Sequence, residues 1–309
     1  MLNIRRGAAT GMERLDAPAP GSWLHVVDAS DEDLAALREF GIPAALLTHV
    51  SDPDERPRVE HLGEVVLVVL HYPSRRRAES GAPFVTVPLS VFLTQTATVT
   101  VAPRPVEFLE PLLEGQVTDL STTLPTDFVL RVFWQLADAY LGAMREINAS
   151  VERLEDSLKR SLRNEEVLGL LEYQKSLTYF ATGMRANERA LERLQRLPAL
   201  RWGEQDQDLL EDVRIEVRQA IEMAEISDNI LSQMMDAFAS IVSNNLNSVM
   251  KVLTSVTILL AVPSLIVNIY GMNIGLPGAR SAVAFGGIVL VCILLCGVLV
   301  VVFRRRNWL

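Results

Sequence analysis

The chain has 309 residues, 49% of them hydrophobic and 22% charged, with a formal net charge of −9. All 38 acidic residues and 24 of the 29 basic ones precede residue 251, so the first 250 residues carry a balance of −14. That excludes a binder of nucleic-acid backbones and suits the attraction of cations. Both cysteines, Cys292 and Cys296, fall in the apolar tail, which leaves no disulfide framework and points to a reduced, cytosolic body.

Residues 1 to about 20 are polar and proline-containing and are expected to form a loose lead. They lack the apolar run of a secretory signal. Four β-branched runs then predict strands: Trp23 to Asp28, Val65 to Tyr72, Phe84 to Thr94 and Thr96 to Ala102. Helices are predicted over Asp31 to Phe40, capped by Ser30, and over Arg104 to Leu113. The segment "PSRRRAESGAP" between two strands reads as a polar loop. Residues 1–125 are therefore an α/β domain. His25, His49, His61 and His71 show no metal-ligand spacing and read as surface or strand histidines. No glycine-rich phosphate loop and no nucleophile–base set stands out, so neither an enzyme nor an organic cofactor is expected.

From residue 126 the pattern turns helical. Residues 126–204 predict a hairpin, Asp127 to about Leu162 and Glu165 to about Leu197, with turns at Pro198 and Gly203. A third helix begins near Gln205 and meets no proline or glycine until Pro263, roughly 58 residues or about 87 Å. Its part at 205–250 is a stalk. Val213, Val217, Ile221, Ala224, Ile226, Ile230, Met234, Phe238 and Ile241 are expected to make its apolar contacts. Another face carries Asn229, Gln233, Asp236, Ser240, Asn244 and Asn247, which fits either a wet axis or a solvent-facing stripe.

The tail holds two charge-free runs, Val252 to Tyr270 and Ser281 to Phe303. About 20 helical residues cross the roughly 30 Å hydrocarbon core, so these predict two membrane helices, 251–270 and 281–303, joined by a turn at 271–280. Lys251 precedes the first, Arg304, Arg305 and Arg306 in the tail 304–309 follow the second, and Arg280 alone lies between. The positive-inside rule puts both termini in the cytoplasm of a multi-pass cell-membrane protein. Trp308 fits an interfacial anchor. Asn247, Met250, Thr254, Thr257, Ala261, Ser264 and Asn268 form one polar or small stripe along the first span. They line a water-filled path, or their hydroxyls bond back to their own helix while Asn268 joins helices. The second span is dense in Val, Leu, Ile, Gly and Ala and reads as the lipid-facing partner. Gly286 and Gly287 would permit close helix contact. Two helices enclose no interior, so a pore requires several copies about an axis.

"YGMN" at Tyr270 to Asn273, directly after the first of two terminal spans and behind a long uninterrupted helix, resembles the CorA-like family of divalent-cation transporters, the two-transmembrane Gly-x-Asn type. The likeness is close over 205–309, including "RRRNWL", and architectural over 1–204. It implies a homopentameric funnel, with the first span lining a pore and the second surrounding it among the lipids. Gly271, Met272 and Asn273 match its selectivity filter, with Asn273 holding a hydrated cation through water. Met250 and Leu253 match an apolar gate, and Asn247, Thr257, Ala261 and Ser264 match further pore-facing positions, with Asn268 on the same stripe. Asp212 matches a Mg2+-binding regulatory position between subunits, and Asp236 an acidic ring in the pore. Mg2+ would be both substrate and regulator, with Co2+ a further cargo. The loop "IGLPGAR" departs from many members in having no acid, which leaves zinc or another divalent cation, moved with proton coupling, as an alternative. A non-conducting membrane sensor or scaffold is an alternative of a different class.

Overall fold

The computed structural model describes residues 2–8, 11–76, 81–117, 120–160, 164–272 and 281–308. The chain divides into two compact units, Met1–Gln233 and Met234–Leu309. The first holds a seven-stranded sheet of β1 (Leu2–Ala8), β2 (Gly11–Arg14), β3 (Ser22–Val27), β4 (Arg58–Leu62), β5 (Val65–Arg75), β6 (Phe84–Leu93) and β7 (Ala97–Ala102). Its order is β2-β1-β3-β7-β6-β5-β4, antiparallel except between β3 and β7.

The expected loose lead is instead two strands. β1 pairs with β3 from Leu2 opposite Val26 to Arg6 opposite Ser22. β2 then closes that edge, setting Arg5 opposite Arg14 and Arg6 opposite Glu13. The other edge, β4, was also not predicted. Two short helices cover one face of the sheet: α1 (Asp31–Glu39) and α2 (Ala44–Leu47). Ser30 caps α1 as expected. Its hydroxyl accepts the Asp33 N–H while the Asp33 carboxylate accepts the Ser30 N–H, each at 3.1 Å. The helix predicted from Arg104 is shorter, a 3-10 turn at Glu107–Leu109 leading into α3 (Glu110–Leu113).

Alternation assigns the two faces. Ile4, Leu24, Val99, Phe92 and Leu67 stand in register across five strands and bury against Leu37, Leu46 and Leu47. The opposite face takes α4 (Pro125–Arg160) and α5 (Asn164–Gln195). There Phe128 meets Trp23 edge-on with ring centres 5.0 Å apart, and Phe180 meets Tyr140 at 5.1 Å. Gly183 sets the distance of α5 from the sheet. A Cβ there would lie 2.9 Å from the Tyr140 hydroxyl and 3.0 Å from the Thr86 methyl.

β4 stops at Arg58, opposite Val69, so the next outward backbone groups of β5, those of His71, have no strand to bond. The fully buried Asn187 of α5 takes both. Its amide donates to the His71 carbonyl at 2.7 Å and its oxygen accepts the His71 N–H at 2.8 Å. The Tyr140 hydroxyl donates to the same carbonyl at 3.0 Å, and the His71 ring Nε2 lies 2.7 Å from the Glu55 carbonyl. Asn187→Ala strands a buried N–H and weakens the carbonyl's bonding. It should destabilise the unit by about 2–4 kcal/mol, read in denaturant unfolding, with the sheet still formed.

Burial holds the His71 and His25 rings down from the usual 6.5 to about 4, so both are neutral in the fold. His25 shares the Thr100 hydroxyl with the Trp23 indole, each at 2.8 Å. Between pH 6.5 and about 4 the unfolded chain takes up protons that the folded chain refuses. Stability should therefore be intact above 6.5, fall as pH drops through that window by roughly 3 kcal/mol per ring, and level off below about 4. Unfolding followed across pH 4–7 checks this, and His25→Gln with His71→Gln should flatten the profile.

Candidate functional site

The third long helix, α6 (Glu204–Tyr270), contributes its residues up to Gln233 to the first unit and the rest to the second. In the first unit it buries Leu210, Val213, Val217, Ala220, Ile221, Ala224 and Leu231, a stripe at alternating three- and four-residue steps. Arg185 of α5 pairs with Glu225, and the Gln174 amide donates to Ser232 at 2.8 Å. Three expected contacts are corrected: Ile241, in the second unit, is 46% exposed, and Ile226 and Ile230 are 53% and 54% exposed. Ile226 and Ile230 sit off the buried stripe, which is completed by alanines. Asp212 and Asp236 are both exposed.

In the second unit α6 continues through Pro263 to Tyr270, and α7 (Ala282–Arg305) follows. Ser255 is fully buried, and Ile258, Leu259, Val262 and Ile266 are half-buried on the same side of α6. Ile288, Cys292, Cys296, Leu299 and Phe303 form the matching covered side of α7. At 100° per residue the polar stripe falls well away from that side. Asn247, Met250, Leu253, Thr254, Thr257, Ala261, Ser264 and Asn268 are all exposed. Two of the stripe hydroxyls bond back to their own helix: Thr257 donates to the Leu253 carbonyl at 2.8 Å and Ser264 to that of Leu260 at 2.7 Å. Each hydroxyl oxygen keeps its acceptor capacity. Among the described residues, a Cβ added at Gly286 or Gly287 would meet nothing within 4 Å beyond the helix's own backbone.

Proline has no N–H, so Pro263 leaves the Leu259 carbonyl without its helical donor. The Cys296 thiol lies 3.8 Å from that oxygen and donates to it across the hairpin. Past the end of α7, Asn307 has a φ of 52° that lets the Trp308 N–H reach the Phe303 carbonyl at 2.9 Å. The rings of Phe303 and Trp308 stack, 3° from parallel. After α6, the Gly271 N–H bonds the Val267 carbonyl at 2.9 Å and Met272 is exposed. Asn273 and the loop to Arg280 lie outside the described residues.

The structure also gathers residues that sequence spacing did not single out. His49, Asp52 and Glu55 bring their ligand atoms within 4.8 Å of one another. His49 is exposed, as expected of a surface histidine, but it stands beside two acids. The signal was the run of three-residue steps from His49 to Asp52 to Glu55 across a turn.

Two apolar helices long enough to cross a membrane follow the α/β body in sequence, the architecture of a two-span membrane protein. Comparison with known proteins gives the family. A family model described as "CorA-like Mg2+ transporter protein" matches residues 20–305, and this chain belongs to that family. Its members are transporters rather than enzymes, and the two apolar helices mark this one as a multi-pass membrane protein. A cobalt/magnesium transport protein CorA of Methanocaldococcus jannaschii is 26% identical over 293 residues, 93% of this chain and 91% of that protein. A protein of the same description from Thermotoga maritima is 23% identical over 305 residues, 95% of this chain and 85% of its own length. The complete structure of the CorA magnesium transporter from Methanocaldococcus jannaschii superposes with a TM-score of 0.86 at 25% identity, covering 100% of this chain and 99% of that one.

The Cys296 contact yields a direct test. Cys296→Ala leaves the Leu259 carbonyl unpaired in hydrocarbon and should lower stability in detergent by about 0.5–1 kcal/mol. Cys296→Ser, which keeps a donor, should recover most of the loss. Equal effects from the two would show that only side-chain volume matters there.

Proposed function

We propose that this chain is one subunit of a homopentameric channel that admits hydrated Mg2+, and also Co2+, into the cytoplasm. The observation that carries the reading is the separation of faces on α6: α7 covers one side and the stripe from Asn247 to Asn268 lies away from it, uncovered. Around Ile241 to Leu253 the apolar residues Ile241, Val242, Leu246, Val249, Met250 and Leu253 are also exposed in a single chain. Further copies arranged about an axis would cover the apolar sides and turn the polar stripe inward. The names carried by the relatives supply the cargo.

In this reading the body is 1–125 with the helical hairpin 126–204, and 205–250 is the stalk. Residues 251–270 line the pore, 271–280 face outside, 281–303 face lipid, and the basic tail 304–309 returns to the cytoplasm. Gly271, Met272 and Asn273 form the mouth, where neutral carboxamides accept hydrogen bonds from the ion's water shell. Mg2+ dehydrates reluctantly, so a site that leaves its water in place lets it both enter and leave. Met250 and Leu253 form a dry constriction. An inside-negative potential of 100 mV favours entry of a dication by about 4.6 kcal/mol, so no hydrolysis is needed. Mg2+ bridging Asp212 to a neighbouring subunit favours the closed state. Its loss lets carboxylates repel, and α6, one helix from its buried stripe to the span, passes the change on. Asp236 concentrates cations along the axis.

The test is Mg2+ entry into dye-loaded proteoliposomes under an inside-negative potential. Wild type should conduct, Asn273→Ala should lose at least tenfold, and Asp212→Asn should need more internal Mg2+ to close. Zn2+ uptake linked to a pH gradient, without Mg2+ entry, would replace this reading with the zinc alternative that the acid-free loop allows. Silence for every ion in folded, oligomeric protein would favour a sensor or scaffold.

A further inference from the structure

We infer that His49, Asp52 and Glu55 form a cytoplasm-facing site for a first-row transition-metal dication of the Co2+, Ni2+ or Zn2+ type, within one protomer and apart from the transport path. The donor set is mixed, one imidazole nitrogen and two carboxylates, and its ligand atoms lie within 4.8 Å of one another. Three donors on one side of an ion, each about 2.1 Å from it, lie roughly 3.0–3.4 Å from one another. Closure therefore asks for side-chain movements of roughly 1–2 Å. His49 and Asp52 are exposed and free to make it. Glu55 is the fixed member. Its side chain is 13% exposed, and Arg58 holds Oε1 while donating through Nε to Glu60 at 2.5 Å. That leaves Glu55 Oε2 facing His49 Nδ1 at 4.0 Å. One Asp52 oxygen accepts the Asp54 N–H at 2.9 Å, and the other is available to an ion.

The nitrogen donor sets the selectivity. Mg2+ prefers an all-oxygen, water-rich shell, whereas imidazole suits the later first-row metals. Three protein donors on one side leave the remaining positions to water. The site would thus distinguish cobalt from magnesium, a distinction that a hydrated-ion pore with an oxygen-only mouth makes poorly.

It is also tied to the helices. The Glu55 carbonyl is bonded to the His71 ring, and the His71 backbone is bonded by Asn187 of α5 and Tyr140 of α4. A metal that draws His49 and Asp52 onto Glu55 pulls on that chain of contacts through its anchored end. A regulatory use of this pull rests on the transport reading given above. Binding itself does not, so the two are read separately.

The experiment is calorimetric titration of the full-length, chelator-treated protein in detergent with Co2+, in excess Mg2+, alongside the visible absorption of bound Co2+. Wild type should bind one Co2+ per chain that Mg2+ does not displace, with a nitrogen-ligated spectrum. His49→Ala and Asp52→Asn should each weaken it by on the order of 10–100-fold, while Asp212→Asn leaves it in place. His49 is exposed, so its loss should not unfold the chain, and an unchanged thermal transition confirms that. Absence of Mg2+-resistant Co2+ binding, or binding indifferent to both substitutions, would overturn the site. If binding is confirmed while micromolar Co2+ leaves Mg2+ flux unaltered, only the regulatory use fails.

Discussion

A peptide carbonyl inside hydrocarbon has no water to turn to, and a proline four residues on removes its only helical donor. That constraint governs the membrane half of this protein. α6 reaches Tyr270 because the carbonyl freed at Leu259 by Pro263 is met by Cys296 of the neighbouring helix. The same requirement explains why Thr257 and Ser264 turn their hydroxyl protons onto their own helix. Hydroxyls whose protons are so committed present oxygen lone pairs outward. Oxygen lone pairs are what a cation, or the water shell of a cation, is drawn to. Structural back-bonding and a cation-tolerant surface were opposed readings of the pattern, and in this helix they are compatible.

The body obeys the same accounting in water. Wherever a strand ends early, a side chain replaces the missing neighbour. Asn187 does so for His71, and Thr122 does so for Gly7, whose N–H reaches its hydroxyl at 2.9 Å. The polar groups so enclosed make the body sensitive to acid, because neutral imidazoles sit where charged ones would be poorly solvated.

What could be read from the residues followed the strength of each local signal. Val65 to Tyr72 and Phe84 to Thr94 are long β-branched runs with turn residues nearby, and both are strands. "LNIRRGA", "GMER" and "RVEHL" carry arginines, glutamates or glycines at three of seven, three of four and two of five positions, and these interrupt the β-branched pattern. The α6 stripe was half legible. Val213, Val217, Ile221 and Ala224 were foreseen and are buried, but Ala220, not foreseen, buries as fully as any of them, while the bulkier Ile226 and Ile230 stay outside. The helical phase of the polar stripe was legible because 3.6-residue periodicity survives in any solvent. The grouping of His49 with Asp52 and Glu55 was not, since it depends on a turn.

Both free edges of the sheet are short and charged. β2 is four residues long and sets Arg14 opposite Arg5, and β4 presents Arg58, Glu60 and His61. Edges of this kind resist extension by a foreign strand. For a protein made at a membrane surface, where newly synthesised chains crowd together, this matters for quality control, because stray β-pairing between bodies is discouraged from the outset.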